Sequence, residues 1–249
     1  MATVTLPQLA WGNPSAPRRA LLVHGLGSDA HTMWRIGEHL ADTGWYAVAV
    51  DLRGHGRAPR TSSYRISEFA DDILAIPADT PWDALIGHSI AGPILMTALD
   101  RNPRLAPALV LIDPALATIE TDRVEIRAGQ LRNHDLLTVE EQASNNPHWH
   151  PQDIQSSVNA HRSASRFAVE HACIDNPDWD VIEIARRLPT PTFIVQGDPT
   201  VLARYTDEHI ALIETVNPRI SHTMIPGTGH SPHRDNPTEF LARIDAFLG

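Results

Sequence analysis

A chain of 249 residues with 42% hydrophobic and 20% charged side chains has the make-up of a globular protein. It is long enough for one large α/β domain or two small ones. A net charge of −10, from 30 acidic and 20 basic residues, opposes nucleic acid and anionic membrane as partners. All 20 basic residues are arginine, which excludes Schiff-base lysines and a phosphate-loop lysine. The single cysteine, Cys173, allows neither a disulfide framework nor a Cys-based zinc site. No run of about 18 apolar residues exists to span a bilayer. Residues 1–9 have neither the basic start nor the apolar stretch of a signal peptide, so a cytoplasmic location is the expectation.

Residues 3–11 read as an opening strand or hairpin. Residues 20–24 (ALLVH) form a short apolar run halted by Gly25, which predicts a buried strand. Residues 31–43 predict a helix. Residues 46–51 (YAVAVD) predict a second buried strand, running into a loop with Gly54 and Gly56. Over 66–76 the apolar residues Ile66, Phe69, Ile73 and Ile76 fall at helical spacing. A short strand at 84–86, a helix at 90–101 and a buried strand at 106–112 follow. The strand signal then stops. Residues 115–188 hold polar helical stretches and two Pro–Trp segments, NNPHWHP and DNPDWD. Alternation resumes with a strand at 192–196, a helix at 206–216, a strand at 220–225 and a last helix at 237–248. The pattern predicts an α/β fold with a mostly parallel central sheet and helices on both faces. Residues 1–114 and 189–249 are its expected core, and 115–188 an inserted helical cap or lid. Caps over sheet ends shape ligand sites.

Gly87-His88-Ser89-Ile90-Ala91-Gly92 lies between a predicted strand and a predicted helix. That is the context of a G-x-S-x-G elbow, whose sharp turn exposes the serine hydroxyl and needs small residues on either side. Here Ala91 stands at the second small position, with Gly92 behind it. His24-Gly25-Leu26-Gly27-Ser28 follows a strand and can bring a backbone N–H beside the serine. The N–H groups of Leu26 and Ile90 are the candidate oxyanion donors, with Gly25 lining the same place. The structural alternatives are an N-cap serine and a glycine-rich turn. The DLRGHG stretch, residues 51–56, is read as structural, His55 included. Gly227-Thr228-Gly229-His230-Ser231, between the last strand and the last helix, is where a histidine base can meet the serine.

In HGLG, DLRGHG, GHSIAG and GTGHS, in this order and at this spacing, the chain resembles the α/β-hydrolase superfamily along nearly its whole length. The resemblance implies Ser89 as nucleophile, His230 as base, an acid between them in the chain, and a cap after the sixth strand, matching 115–188. The histidine needs a carboxylate to hold its tautomer. Asp113 ends LVLID; Asp198 follows TFIVQG. Most of the superfamily carry the acid after strand seven, three residues past the strand-ending glycine, where this chain has Thr200. A minority, haloalkane dehalogenases and zearalenone lactonases among them, carry it after strand six, at the spacing of Asp113. Residues 197–202 also resemble the strand-seven loop of such dehalogenases. Asp113 is the favoured acid and Asp198 the alternative. Their structural readings are a strand-end cap and a turn residue.

The constellation implies a small-molecule ester or lactone as substrate, cleaved through an acyl-enzyme with no metal or organic cofactor. A serine nucleophile argues against dehalogenation, which in this fold uses an aspartate. Two rival readings keep the fold: a C–C bond hydrolase or cofactor-free dioxygenase, and a ligand receptor with slow turnover. His148, His150, His161 and His171 fall in no metal-ligand spacing. Trp149 and Trp179 are candidates for substrate contact or for stapling the cap to the core. Met33 and Trp34 are candidates for the acyl pocket or for core packing.

Overall fold

The computed structural model describes residues 2–77 and 81–249. Among the described residues seven strands build one sheet: β1 (Gln8–Trp11), β2 (Arg18–Val23), β3 (Trp45–Val50), β4 (Ala84–His88), β5 (Leu109–Ile112), β6 (Thr192–Gln196) and β7 (Ile220–Met224). Their order is β1-β3-β2-β4-β5-β6-β7, with β1 antiparallel to β3 and every other pair parallel. The helices are α1 (Trp34–Asp42), α2 (Ile66–Leu74), α3 (Ala91–Arg101), α4 (Glu120–Leu136), α5 (Val139–Asn145), α6 (Pro151–Ser163), α7 (Arg166–Ile174), α8 (Ile182–Arg187), α9 (Asp207–Ile213), α10 (Pro232–Asp235) and α11 (Pro237–Leu248).

The inner strands are apolar through their middles, with polar residues only at their ends (Arg18 and Arg19 of β2, His88 of β4, Thr192 and Gln196 of β6), because both faces are covered. Alternate residues serve opposite sides. Val23, Val48, Val50, Leu109 and Leu111 join Phe69 of α2 and Leu95 of α3 on one face. Leu22, Ala47, Ala49, Val110 and Ile112 join Leu40 of α1 and Phe240 of α11 on the other. Strand order then positions the loops. The chain leaves β2 outward to β3 and returns on the other side of β2 as β4. The carboxyl ends of β2 and β4 therefore flank the point where the winding reverses, the place where open α/β sheets bind ligands. The HGLG loop leaves β2 there, and Ser89 leaves β4.

Most predicted elements lie within a few residues of the observed ones, and the departures have local causes. The strand predicted at 106–112 begins at Leu109, after Pro107, which has no N–H for a ladder. The helix predicted at 31–43 opens as a 3-10 turn, Ala30–Met33, capped by the Asp29 carboxylate on the His31 N–H. The opening strand or hairpin is one strand, β1. Between β5 and β6 lie α4 to α8, and α4 buries no residue fully. This excursion starts and ends at one point. Ala117 and Asp180 form an antiparallel bridge, Val181 N–H donates to Leu116 O (3.0 Å), and Thr118 N–H to Trp179 O (2.9 Å). Among the described residues no helix is long and apolar enough to cross a membrane.

Candidate active site

Ser89 follows β4 with φ +57°, the left-handed region that side-chain-bearing residues avoid. Its N–H donates to Ile112 O of β5 (3.0 Å), and its carbonyl accepts from Gly92 N–H (3.0 Å) as α3 begins. The turn is as tight as its neighbours allow. A Cβ on Gly87 would lie 2.7 Å from Leu95 Cδ1 and 2.8 Å from Ala91 Cβ. A Cβ on Gly92 would lie 2.5 Å from Pro114 Cβ. Glycine is thus required at 87 and 92, while the methyl of Ala91 is accommodated because Gly87 faces it.

His230, in the loop between β7 and α10, brings its Nε2 to 2.9 Å from Ser89 Oγ and its Nδ1 to 2.6 Å from Asp113 Oδ2. A carboxylate only accepts, so Nδ1 carries the proton and Nε2 is left to accept from the serine hydroxyl. Asp113 is fully buried, with φ +38°. Three backbone N–H groups also donate to its carboxylate: Arg204 (2.8 Å), Tyr205 (3.2 Å) and Gly197 (3.3 Å). The Asp198 carboxylate does not pair with the histidine. Its carboxylate accepts from Gly227 N–H (2.9 Å) and from Thr200 N–H (2.9 Å) and Oγ1 (2.7 Å). Those bonds, Gly227's first, hold it below the usual carboxylate range. His88 Nε2–H donates to His230 O (2.8 Å) and so fixes the base's backbone. Burial, then the neighbouring His230, keeps His88 neutral.

The HGLG and DLRGHG loops lock together through two buried imidazoles. His24 Nδ1–H donates to Gly25 O (2.8 Å), and its Nε2 accepts from Leu52 N–H (3.0 Å). His55 Nδ1–H donates to Arg53 O (3.0 Å), and its Nε2 accepts from Gly27 N–H (3.1 Å). Arg53, itself buried, is held by Asp72 through Nε (2.6 Å) and Nη2 (2.8 Å). The N–H groups of Leu26 and Ile90 donate to no other protein group among the described residues. Burial, above all, pushes His55 down to about 3, against an ordinary 6.5. Between those values the unfolded chain binds the proton and the folded chain does not. The His55 contribution to stability is therefore complete above pH 6.5 and declines as pH falls toward 3. The decline is about 1.4 kcal/mol per pH unit. His55→Gln, which keeps an acceptor for Gly27, is expected to flatten the acid limb of stability by about that slope. Urea unfolding of both proteins from pH 7 to pH 4 measures it; parallel limbs would refute it.

Ser89 and His230 open on a cavity of about 200 Å³ that Gly25, Leu26, Trp149, His161, Gln130 and Arg234 also line. A Cβ on Gly25 would come within 2.9 Å of His88 Nδ1, so glycine lets this loop approach the serine. Trp149 reaches the cavity, with its indole N–H on Asp235 Oδ1 (2.5 Å). Trp179 does not. It is buried, with its indole N–H on Ala115 O (2.7 Å), in the position of a staple. Met33 is core, and Trp34 donates to Asp153 Oδ1 (2.8 Å) beside a separate hollow of about 620 Å³ that touches neither Ser89 nor His230. His148, His150 and His171 lie outside the Ser89 cavity; only His161 of the four lines it. Gln130, Asn133, Gln142 and Arg234 are cavity residues that the sequence did not single out. Only their tertiary placement distinguishes them from solvated helix positions.

A model described as "Alpha/beta hydrolase family" matches residues 20–244. Lipase LipV of Mycobacterium tuberculosis is 33% identical over 128 residues, 50% of this chain and 48% of the lipase, so that match spans about half of each. The 2-(acetamidomethylene)succinate hydrolase of Mesorhizobium japonicum is 25% identical over 244 residues, covering 92% of this chain and 87% of that one. Among solved structures, an E-2-(acetamidomethylene)succinate hydrolase superposes with TM-score 0.83 at 22% identity, covering 98% and 95% of the two chains. A thermophilic esterase from Thermogutta terrifontis gives 0.77 at 21% identity, covering 98% and 93%. At such identities the structural likeness is one of fold.

Proposed function

Starting from a chain that belongs to the alpha/beta hydrolase family, we propose that it is a serine hydrolase of small carboxylic esters or lactones. The observation that carries this reading is the unbroken hydrogen-bonded line from Ser89 Oγ through His230 to the buried Asp113. Ser89 Oγ attacks the carbonyl carbon as His230 Nε2 takes its proton. Asp113 stabilises the imidazolium, and the Leu26 and Ile90 N–H groups donate to the oxyanion. The tetrahedral adduct expels the alcohol, which takes the proton from His230. Water, deprotonated by the same nitrogen, then attacks the acyl-Ser89 ester and releases the acid. The helices between β5 and β6 act as a cap that bounds the acyl site, contributing Gln130, Trp149 and His161.

An alkyl fluorophosphonate tests the nucleophile directly. It is expected to add one phosphonyl group, mapped by mass spectrometry to the peptide containing Ser89, and to abolish hydrolysis of a short-chain p-nitrophenyl ester in proportion. Labelling elsewhere, or full labelling without loss of turnover, would overturn the reading.

A further inference from the structure

Arg234 sits on α10, four residues after the base, and is only 7% exposed. It lines the Ser89 cavity. Its Nε is buried with no hydrogen-bond partner. The carboxylates around it are already engaged. Asp153 holds Arg35 Nη2 (2.6 Å) and Trp34 Nε1 (2.8 Å). Asp235 accepts from Trp149 Nε1 (2.5 Å), Gly229 N–H (2.6 Å) and His148 (3.3 Å). Among the described residues no carboxylate lies within 4.0 Å of the Arg234 guanidinium. One contact does hold it: the guanidinium stacks 5.0 Å from the Trp149 ring centroid. Trp149 is itself fixed by Asp235, which also ties down the His230 loop through Gly229.

An arginine stays charged even when buried. A desolvated cation without a fixed anion is costly, and the cost is relieved when an anion arrives. Two more buried atoms in this cavity lack partners, Gln130 Oε1 and His161 Nδ1. Burial, then Arg234, pushes His161 down to about 4, so it is a neutral hydrogen-bonding group near pH 7. The cavity thus offers one permanent cation and neutral polar atoms. It is also smaller than the roughly 300–1,000 Å³ of drug-sized pockets. A long aliphatic acyl chain suits neither property.

We propose that the Ser89 cavity is built for a short substrate carrying a carboxylate, which the Arg234 guanidinium binds edge-on while Ser89 attacks the neighbouring carbonyl. This assignment rests on the hydrolase reading for the attack and stands apart from it for the anion. Arginine pairs with a carboxylate through two parallel N–H···O bonds, which fixes orientation as well as affinity.

The test compares monomethyl succinate with methyl pentanoate, an uncharged ester of similar length, in a pH-stat. Wild type is expected to favour the charged ester in kcat/KM by about 10²-fold, the scale of a desolvated charge-assisted contact. In Arg234→Met the ratio is expected to fall to about one; Arg234→Lys, tested beside it should the methionine variant misfold, keeps a cation and loses about tenfold of the ratio. Calorimetric binding of succinate to Ser89→Ala, and its loss when Arg234→Met is added, reads the anion site without turnover. Arg234-dependent succinate binding with neither ester hydrolysed would uphold the anion site and sink the hydrolase reading. Equal hydrolysis of both esters by Ser89, with no succinate binding, would overturn the anion site alone.

Discussion

Replacing Ser89 by alanine is expected to lower kcat for ester hydrolysis by about 10⁴–10⁶-fold, with little change in KM. The hydroxyl makes one side-chain hydrogen bond, to His230 Nε2, and no bond that holds the fold. The variant therefore keeps the same backbone turn, and its unfolding midpoint in urea should move by less than about 1 kcal/mol of stability. What activity remains comes from the backbone donors and the binding cavity acting on water. Stopped-flow or discontinuous assays of a p-nitrophenyl ester, with urea unfolding alongside, give both numbers. Wild-type turnover in the variant would remove Ser89 from the mechanism, whatever the geometry around it.

The second large effect separates two aspartates. Asp113→Asn is expected to cost about 10⁴ in kcat, because an amide that donates toward His230 Nδ1 favours the wrong tautomer. It should also cost stability, about 1–3 kcal/mol. Arg204, Tyr205 and Gly197 all donate to this carboxylate, and an amide nitrogen cannot accept from them. Asp198→Asn, whose partners are Thr200 and Gly227 of surface loops, should change kcat by no more than about twofold. Rates and unfolding of the two variants, measured together, decide the acid. A larger loss of rate in Asp198→Asn would reverse the assignment.

That choice of acid also marks where the sequence ceases to be legible. Both aspartates follow apolar strands, and only the likeness of the spacing and loops around them to one branch of the superfamily favours Asp113. The separation is topological. β5 pairs with β4 in a register that sets His88 opposite Ile112, so the next residues, Ser89 and Asp113, leave neighbouring strands side by side. His230 has only to close over that gap. By contrast, the elbow was readable because its glycines answer to contacts within a few residues, Gly87 to Ala91 and Leu95. β6 and α11 coincide with the predicted ranges, since their boundaries are set by prolines and strong apolar spacing. α10 was not anticipated as a separate helix: four residues beginning at a proline carry no periodicity. Arg234 was unreadable for a related reason. An arginine near a helix start defaults to solvent, and only tertiary packing, the Trp149 ring against its guanidinium included, makes it a buried cation. Gln130 shares that fate on α4, a helix too polar to announce which side faces inward.

The clasp formed by Ala117, Trp179 and Asp180 has a consequence for how such a molecule can change. Because the excursion departs and returns at one spot, the sheet registers only that its two ends meet. Closing a longer or shorter loop between fixed ends alters the entropy as the logarithm of its length, about 0.6 kcal/mol per doubling. Whole helices can then be gained, lost or exchanged between the ends while Ser89, Asp113 and His230 keep their spacing. Descendants of such a chain can therefore re-line part of the Ser89 cavity, at Gln130, Trp149 and His161, while the elements that carry Ser89, Asp113, His230 and Arg234 stay as they are.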